Sequence, residues 1–124
     1  MTFNDNNKAI YLQIADKICD DIMLGTLKDG DRIPSVREYA ASMEVNANTV
    51  MRSYEYLERN NVIFNRRGIG FFIAENAAAT IKAIRRETFF NGECDYFFRQ
   101  LMTLGISPEE LNELFTQYLN NHKK

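Results

Sequence analysis

Histidine and cysteine are scarce in this chain. His122 is the one histidine, and the two cysteines, Cys19 and Cys94, lie far apart and outside any Cys-x-x-Cys pair. So small a donor set cannot assemble a structural zinc site, and it argues against Ser-His-Asp or Cys-His catalysis. In a reducing compartment two such thiols stay free. A glycine-rich phosphate loop is also missing, because Gly68-x-Gly70 is too short and in the wrong setting for one. The expectation is a protein with no enzymatic activity, no metal and no cofactor. No apolar run approaches the length that spans a bilayer. Residues 1–8 are polar and rich in Asn, with no secretory signal, so a cytoplasmic chain with no membrane partner is expected. There is no repeat, no low-complexity run and no linker rich in Pro or Ser. An overall basic excess is missing too, since the net charge is -2.

The 124 residues suffice for one small domain with its own core plus a helical appendage. The charge is unevenly spread. Residues 46–73 carry Arg52, Arg59, Arg66 and Arg67 against only Glu55 and Glu58, so the local field there is positive although the whole is not.

Helical periodicity opens the chain. Ile10, Ile14, Ile18 and Ile22 recur every fourth residue, widened by Tyr11 and Ala15, and predict a helix over residues 8–24 that Gly25 stops. Residues 26–32 read as a turn-rich connection. Ser35 then caps a short second helix, with Glu38 three residues on completing a capping box, and Val36, Tyr39, Ala40 and Met43 form its buried side. A tight turn through Val45 leads to Asn46, the cap of a third helix reaching about residue 60. Val50, Tyr54 and Leu57 share one face of it, and Asn48, Arg52, Glu55 and Arg59 the other. That pattern suits a helix that reads a DNA groove, but it equally describes any amphipathic helix.

Beyond Asn61 the pattern changes. Val62-Ile63-Phe64 and Gly70-Phe71-Phe72-Ile73 are two β-prone runs around an Arg66-Arg67-Gly68 turn. A hairpin this short must lean on the helices. Three helices and a hairpin form the winged helix-turn-helix arrangement. Residues 76–105 are helical in pattern, with Asn91-Gly92 a point where the run divides. Ser107-Pro108-Glu109-Glu110 opens a last helix, with Leu111, Leu114, Phe115, Tyr118 and Leu119 on its apolar face. The expected fold is mainly α: a winged helix-turn-helix over residues 1–75, then a small helical dimerisation region over residues 76–124.

Two stretches resemble a known family. Ile33-Pro34-Ser35-Val36-Arg37-Glu38-Tyr39-Ala40 is similar to the Leu-Pro-Ser-x-Arg-x-Leu-Ala segment of GntR-family regulators. Val45-Asn46-Ala47-Asn48-Thr49-Val50, with Tyr54 and Leu57-Glu58, resembles their recognition-helix signature. Ile10-Tyr11-Leu12-Gln13-Ile14 and Arg67-Gly68-Ile69-Gly70-Phe71-Phe72-Ile73 resemble the family's first helix and wing. The resemblance spans residues 9–73 in order and spacing, and the Val-Asn-x-Asn-Thr-Val form with a short helical tail resembles the YtrA subfamily. It implies a dimeric transcription regulator, usually a repressor, on a pseudo-palindromic operator. Carried over position by position, it implies DNA contacts from Arg37, from Asn46, Asn48 and Thr49, and from Arg67 and Gly68 at the wing tip. Asn46-Ala47 stands where many members have Ser-Arg or Thr-Arg, and Met51 where a basic residue is common. Those are base-reading positions, so no operator sequence carries over.

Physical chemistry adds Ser35, as a cap that also touches phosphate, and Arg52 and Arg66, within reach of bases or phosphates. The expected partners are a double-stranded DNA operator and a second copy of the chain, paired through the C-terminal helices. A cleft between paired tails has room for a small-molecule effector. The competing reading is a winged-helix adaptor that binds protein and leaves DNA alone; a gel shift separates the two.

Overall fold

The computed structural model describes residues 8–123. The opening Met1 to Asn7, and with it the expectation about a signal sequence, lies outside the described residues. The chain divides into two compact units, one ending at Ile84 and the other beginning at Arg85.

In the first unit the elements run α1 (Ile10–Met23), β1 (Arg32–Ile33), α2 (Val36–Met43), α3 (Ala47–Arg59), β2 (Ile63–Arg66), β3 (Gly70–Ile73) and the start of α4 (Ala77–Thr88). The isoleucine stripe of α1 is buried from Ile14 to Ile22, as the periodicity predicts. Gly25, at φ +84°, ends that helix. Its N–H bonds to the Ile22 carbonyl at 3.1 Å, and the Thr26 N–H to the Asp21 carbonyl at 2.9 Å. This left-handed glycine stop satisfies carbonyls the helix end leaves open. The predicted capping box of α2 is present in both halves: Glu38 N–H to Ser35 Oγ at 3.1 Å, and Ser35 N–H to Glu38 Oε1 at 2.9 Å.

Val50, Tyr54 and Leu57 of α3 are fully buried against Ile14, Ile18, Ile33, Ile63, Ile73 and their neighbours. Each large aliphatic side chain so placed contributes roughly 1.5–3 kcal/mol. Polar groups inside are satisfied at two points that lock α3. Ser53 Oγ donates to the Tyr11 carbonyl at 2.7 Å, tying α3 to α1. The Tyr54 hydroxyl donates to the Pro34 carbonyl at 2.7 Å, tying α3 to the segment before α2. The ring of Tyr54 meets Tyr39 and Phe71 edge-on, at centroid distances of 6.2 Å and 5.0 Å.

The sheet has three antiparallel strands in the order β1-β3-β2, one more than the expected hairpin. Arg32, expected at the end of a turn-rich connection, and Ile33, ahead of the second helix, pair as a short strand with Phe72 and Phe71. Hydrogen bonds from Gly30 N–H to the Ile73 carbonyl and from Ile73 N–H to the Asp31 carbonyl, both 2.8 Å, carry the pairing onward. Two residues are too few to show a period of two, so this strand has no local signature. The hairpin β2–β3 pairs Ile63 with Ile73 and closes at Arg66 and Gly70. Ala77 and Ile81 of α4 join the same core.

In the second unit the rest of α4 is followed by a π-helical turn (Phe89–Glu93), α5 (Cys94–Leu104) and α6 (Pro108–Asn121). The predicted division at Asn91-Gly92 is absent. The backbone stays helical through it by widening one turn, with Cys94 N–H bonded to the Phe89 carbonyl. Gly105, at φ +71°, ends α5, and Ser107 caps α6 by accepting the Glu110 N–H at 3.1 Å. Cys94 is the one buried side chain here among the described residues.

Candidate nucleic-acid interface

The helix-turn-helix is built by three cap residues. Ser35 starts α2. Glu44, in the left-handed region at φ 56°, ends it. Asn46 then starts α3, its Oδ1 accepting the Asn48 N–H at 2.7 Å. Asn46 therefore acts as a cap, and it remains exposed. Asn48 is exposed and Thr49 half-buried, both in the first turn of α3. Their side chains, at the N-terminal end of the helix, form a polar leading edge. The apolar back of α3 is sunk in the core, so that edge has a set orientation.

Arg52 lies one turn further on. Its guanidinium sits over the ring of Tyr11, 4.2 Å from the centroid. A cation over an aromatic face is attracted by the ring quadrupole, and the stack leaves the edge N–H groups free to donate. Tyr11 was legible only as part of an apolar stripe, yet it orients a predicted site residue. Arg37 is exposed on the first turn of α2. The Glu38 carboxyl beside it is held below the usual carboxylate range, chiefly by the Ser35 N–H, then by the Ser35 hydroxyl, with a smaller lowering by the Arg32 charge.

At the wing, Ile69 N–H bonds to the Arg66 carbonyl at 2.8 Å and closes the turn through Arg67 and Gly68. Gly68, at φ +77°, takes a conformation that side chains with a Cβ rarely adopt. Arg67 and Gly68 are exposed at the tip. Arg66 belongs to the last rung of the hairpin, and its guanidinium lies over Phe72, 5.6 Å from the ring centroid. The predicted residues thus fall into two groups, one at the head of α2 and α3 and one on the hairpin.

A model of bacterial regulatory proteins of the gntR family matches residues 10–73. The chain belongs to the GntR family. It is 43% identical over 108 residues to the HTH-type transcriptional repressor YtrA of Bacillus subtilis (strain 168), covering 87% of this chain and 82% of that protein. It is 39% identical over 108 residues to the HTH-type transcriptional regulator YhcF of the same organism, covering 87% and 88%. A solved GntR-family transcriptional regulator from Bacteroides thetaiotaomicron is 55% identical, with a TM-score of 0.81, over 93% of this chain and 100% of that one. This GntR chain is therefore a DNA-binding regulator of transcription with a winged-helix fold. Its family and relatives are regulators of this kind rather than enzymes. Among the described residues, no helix is long and apolar enough to cross a membrane.

Proposed function

We propose that this GntR chain represses transcription by binding a pseudo-palindromic operator as a homodimer. Residues 1–75 supply the reading head and residues 76–124 the pairing region. The observation that carries the reading is the polar leading edge of α3, held in one orientation by a helix whose other face is buried. A single α-helix fits the major groove, and Asn48 can pair with adenine through both its donor and its acceptor. Asn46 and Thr49 flank it, and Arg52 reaches a base edge or a phosphate from its seat on Tyr11. Ser35, Arg37, Arg66, Arg67 and Gly68 meet the backbone or the minor groove, which sets register without specifying sequence.

One such module makes a small interface, and a two-fold operator calls for two. The second unit supports pairing. Phe90, Tyr96, Phe98, Phe115 and Tyr118 are each more than half exposed. So much aromatic surface on short helices is poorly suited to water and well suited to a matching surface. A dimer seated on its operator represses by occupying sites the transcription machinery needs.

The test is a gel shift with duplex DNA from upstream of the protein's own gene, using wild type and Asn48→Ala/Arg52→Ala. A specific complex is expected for wild type, weakened by about 1–3 kcal/mol for each base contact removed. Normal operator binding by the double variant overturns the assignment of α3 as the reader. A monomer by sedimentation at micromolar concentration overturns the pairing.

A further inference from the structure

The outer face of the small sheet carries an arginine that no sequence motif brought into view. The register pairs Arg32 with Phe72 and Arg66 with Gly70, so these four residues share one face, opposite Ile33, Phe71 and Ile73. Phe64, paired with Phe72, stacks on it at a centroid distance of 5.7 Å. Arg66 covers the same Phe72 ring.

Arg32 lies along β3 toward the wing tip. A Cβ placed on Gly70 would stand 3.0 Å from Arg32 Nε and 3.3 Å from Arg32 Nη2. A Cβ there would crowd the guanidinium by a few tenths of an ångström, and Gly70 at φ +144° is itself in a conformation that favours glycine. Arg32 is thus packed beside the last rung of the hairpin, next to the turn that carries Arg67. Arg32 and Arg66 are both exposed, and neither forms a close ion pair among the described residues, although the Arg32 charge is felt weakly by the Glu38 carboxyl. The two arginines flank β3 on one face of the sheet, where their like charges repel, and an anion seated there relieves them.

We propose that Arg32 is a further DNA-contacting residue, forming with Arg66 a cradle beside the wing tip for the backbone phosphates of the duplex, with Gly70 as its floor. The proposal rests on the DNA-binding reading and deepens it. The sheet thereby adds a contact made from β1, on the strand edge away from the hairpin partner. A phosphate contact positions the protein and carries no base information, so it strengthens binding to all sequences alike.

The experiment measures the affinity of wild type, Arg32→Gln and Arg32→Lys for a random-sequence duplex and for the upstream duplex across a series of salt concentrations. One phosphate contact contributes about 0.9 to the slope of log affinity against log salt. Arg32→Gln is expected to bind both duplexes more weakly, with a slope shallower by about that amount and an unchanged ratio between the two. Arg32→Lys is expected to recover the slope, and both variants to melt like wild type. An unchanged slope in Arg32→Gln overturns the proposal, whether affinity holds or falls, since a packing role alone leaves the slope alone. Wild type with no salt-dependent affinity for either duplex overturns the DNA-binding reading as well, which distinguishes the two failures.

Discussion

Up to Ile84 the chain buries Ile14, Val50, Tyr54, Leu57, Ile63, Ile73 and Ile81 almost completely. From Arg85 onward it buries only Cys94 among the described residues, and it leaves Phe98, Phe115 and Tyr118 more than half exposed. Both stretches are rich in apolar side chains at helical spacing. The first closes on itself because its helices and a three-stranded sheet supply one another with opposing faces. The second consists of short helices with caps but few opposing faces. Periodicity reports that a face is apolar, and it is silent on whether that face meets the same chain or another one.

The contrast can be broken most forcefully from the first unit. Leu57→Ala leaves a cavity in the closed core of the first unit. A loss of about 2–5 kcal/mol is expected in urea unfolding followed by circular dichroism. In the second unit, Phe98→Ala with Phe115→Ala tests the opposite behaviour. Little change is expected in the unfolding of the first unit, whereas the dissociation constant of the proposed dimer should rise at least tenfold, since central aromatic anchors contribute about 2 kcal/mol or more to an interface. Equal association in sedimentation would show that these faces are not the pairing surface.

Two tyrosines sharpen the account of the first core. Burial, chiefly, raises the hydroxyl pKa of both Tyr39 and Tyr54 above the usual phenol value. The Tyr54 hydroxyl is bonded to Pro34, while that of Tyr39 is buried with no partner among the described residues. Tyr54→Phe is therefore expected to lose about 1 kcal/mol, because the Pro34 carbonyl also loses its donor. Tyr39→Phe removes an unsatisfied group and should be neutral or slightly stabilising by the same unfolding measurement.

The smallest effect concerns pH. The Glu38 carboxyl titrates below its ordinary value of 4.5 in the folded chain, first because of the Ser35 N–H bond. A lowered folded value means the charged form stabilises the fold above the ordinary value, and that contribution fades as pH falls from there through the lowered one. The melting temperatures of wild type and Glu38→Gln should converge as the solution is acidified through that window. A constant gap would show that the carboxylate charge contributes nothing to the capping box.

Local signals were enough for much of this. The caps Ser35, Asn46 and Ser107 are readable because each lies within three residues of the group it bonds, and the stripes of α1 and α3 because burial repeats with the helical turn. The polar edge of α3 was legible for the same reason, as the complement of a buried stripe. Local reading failed where partners are distant in sequence. Strand β1 exists because Arg32 and Ile33 meet Phe72 and Phe71. Arg52 has its orientation because Tyr11, on another helix, provides a ring. Asn91-Gly92 suggested a break, but the helix absorbs it as a widened turn, since the hydrogen bonds of its neighbours outweigh the modest penalty of one glycine.

By itself, then, the order of residues determined where the capped helices begin, which helix faces are apolar, and the family motif between Ile10 and Ile73. Those properties follow from bonds and periodicities spanning a few residues. Only the tertiary structure decided which faces find cover, that a third strand joins the wing, and that Arg32 comes to rest on Gly70. Each of these depends on groups brought together across some forty residues of chain, where the geometry of packing, and no local preference, chooses the partner.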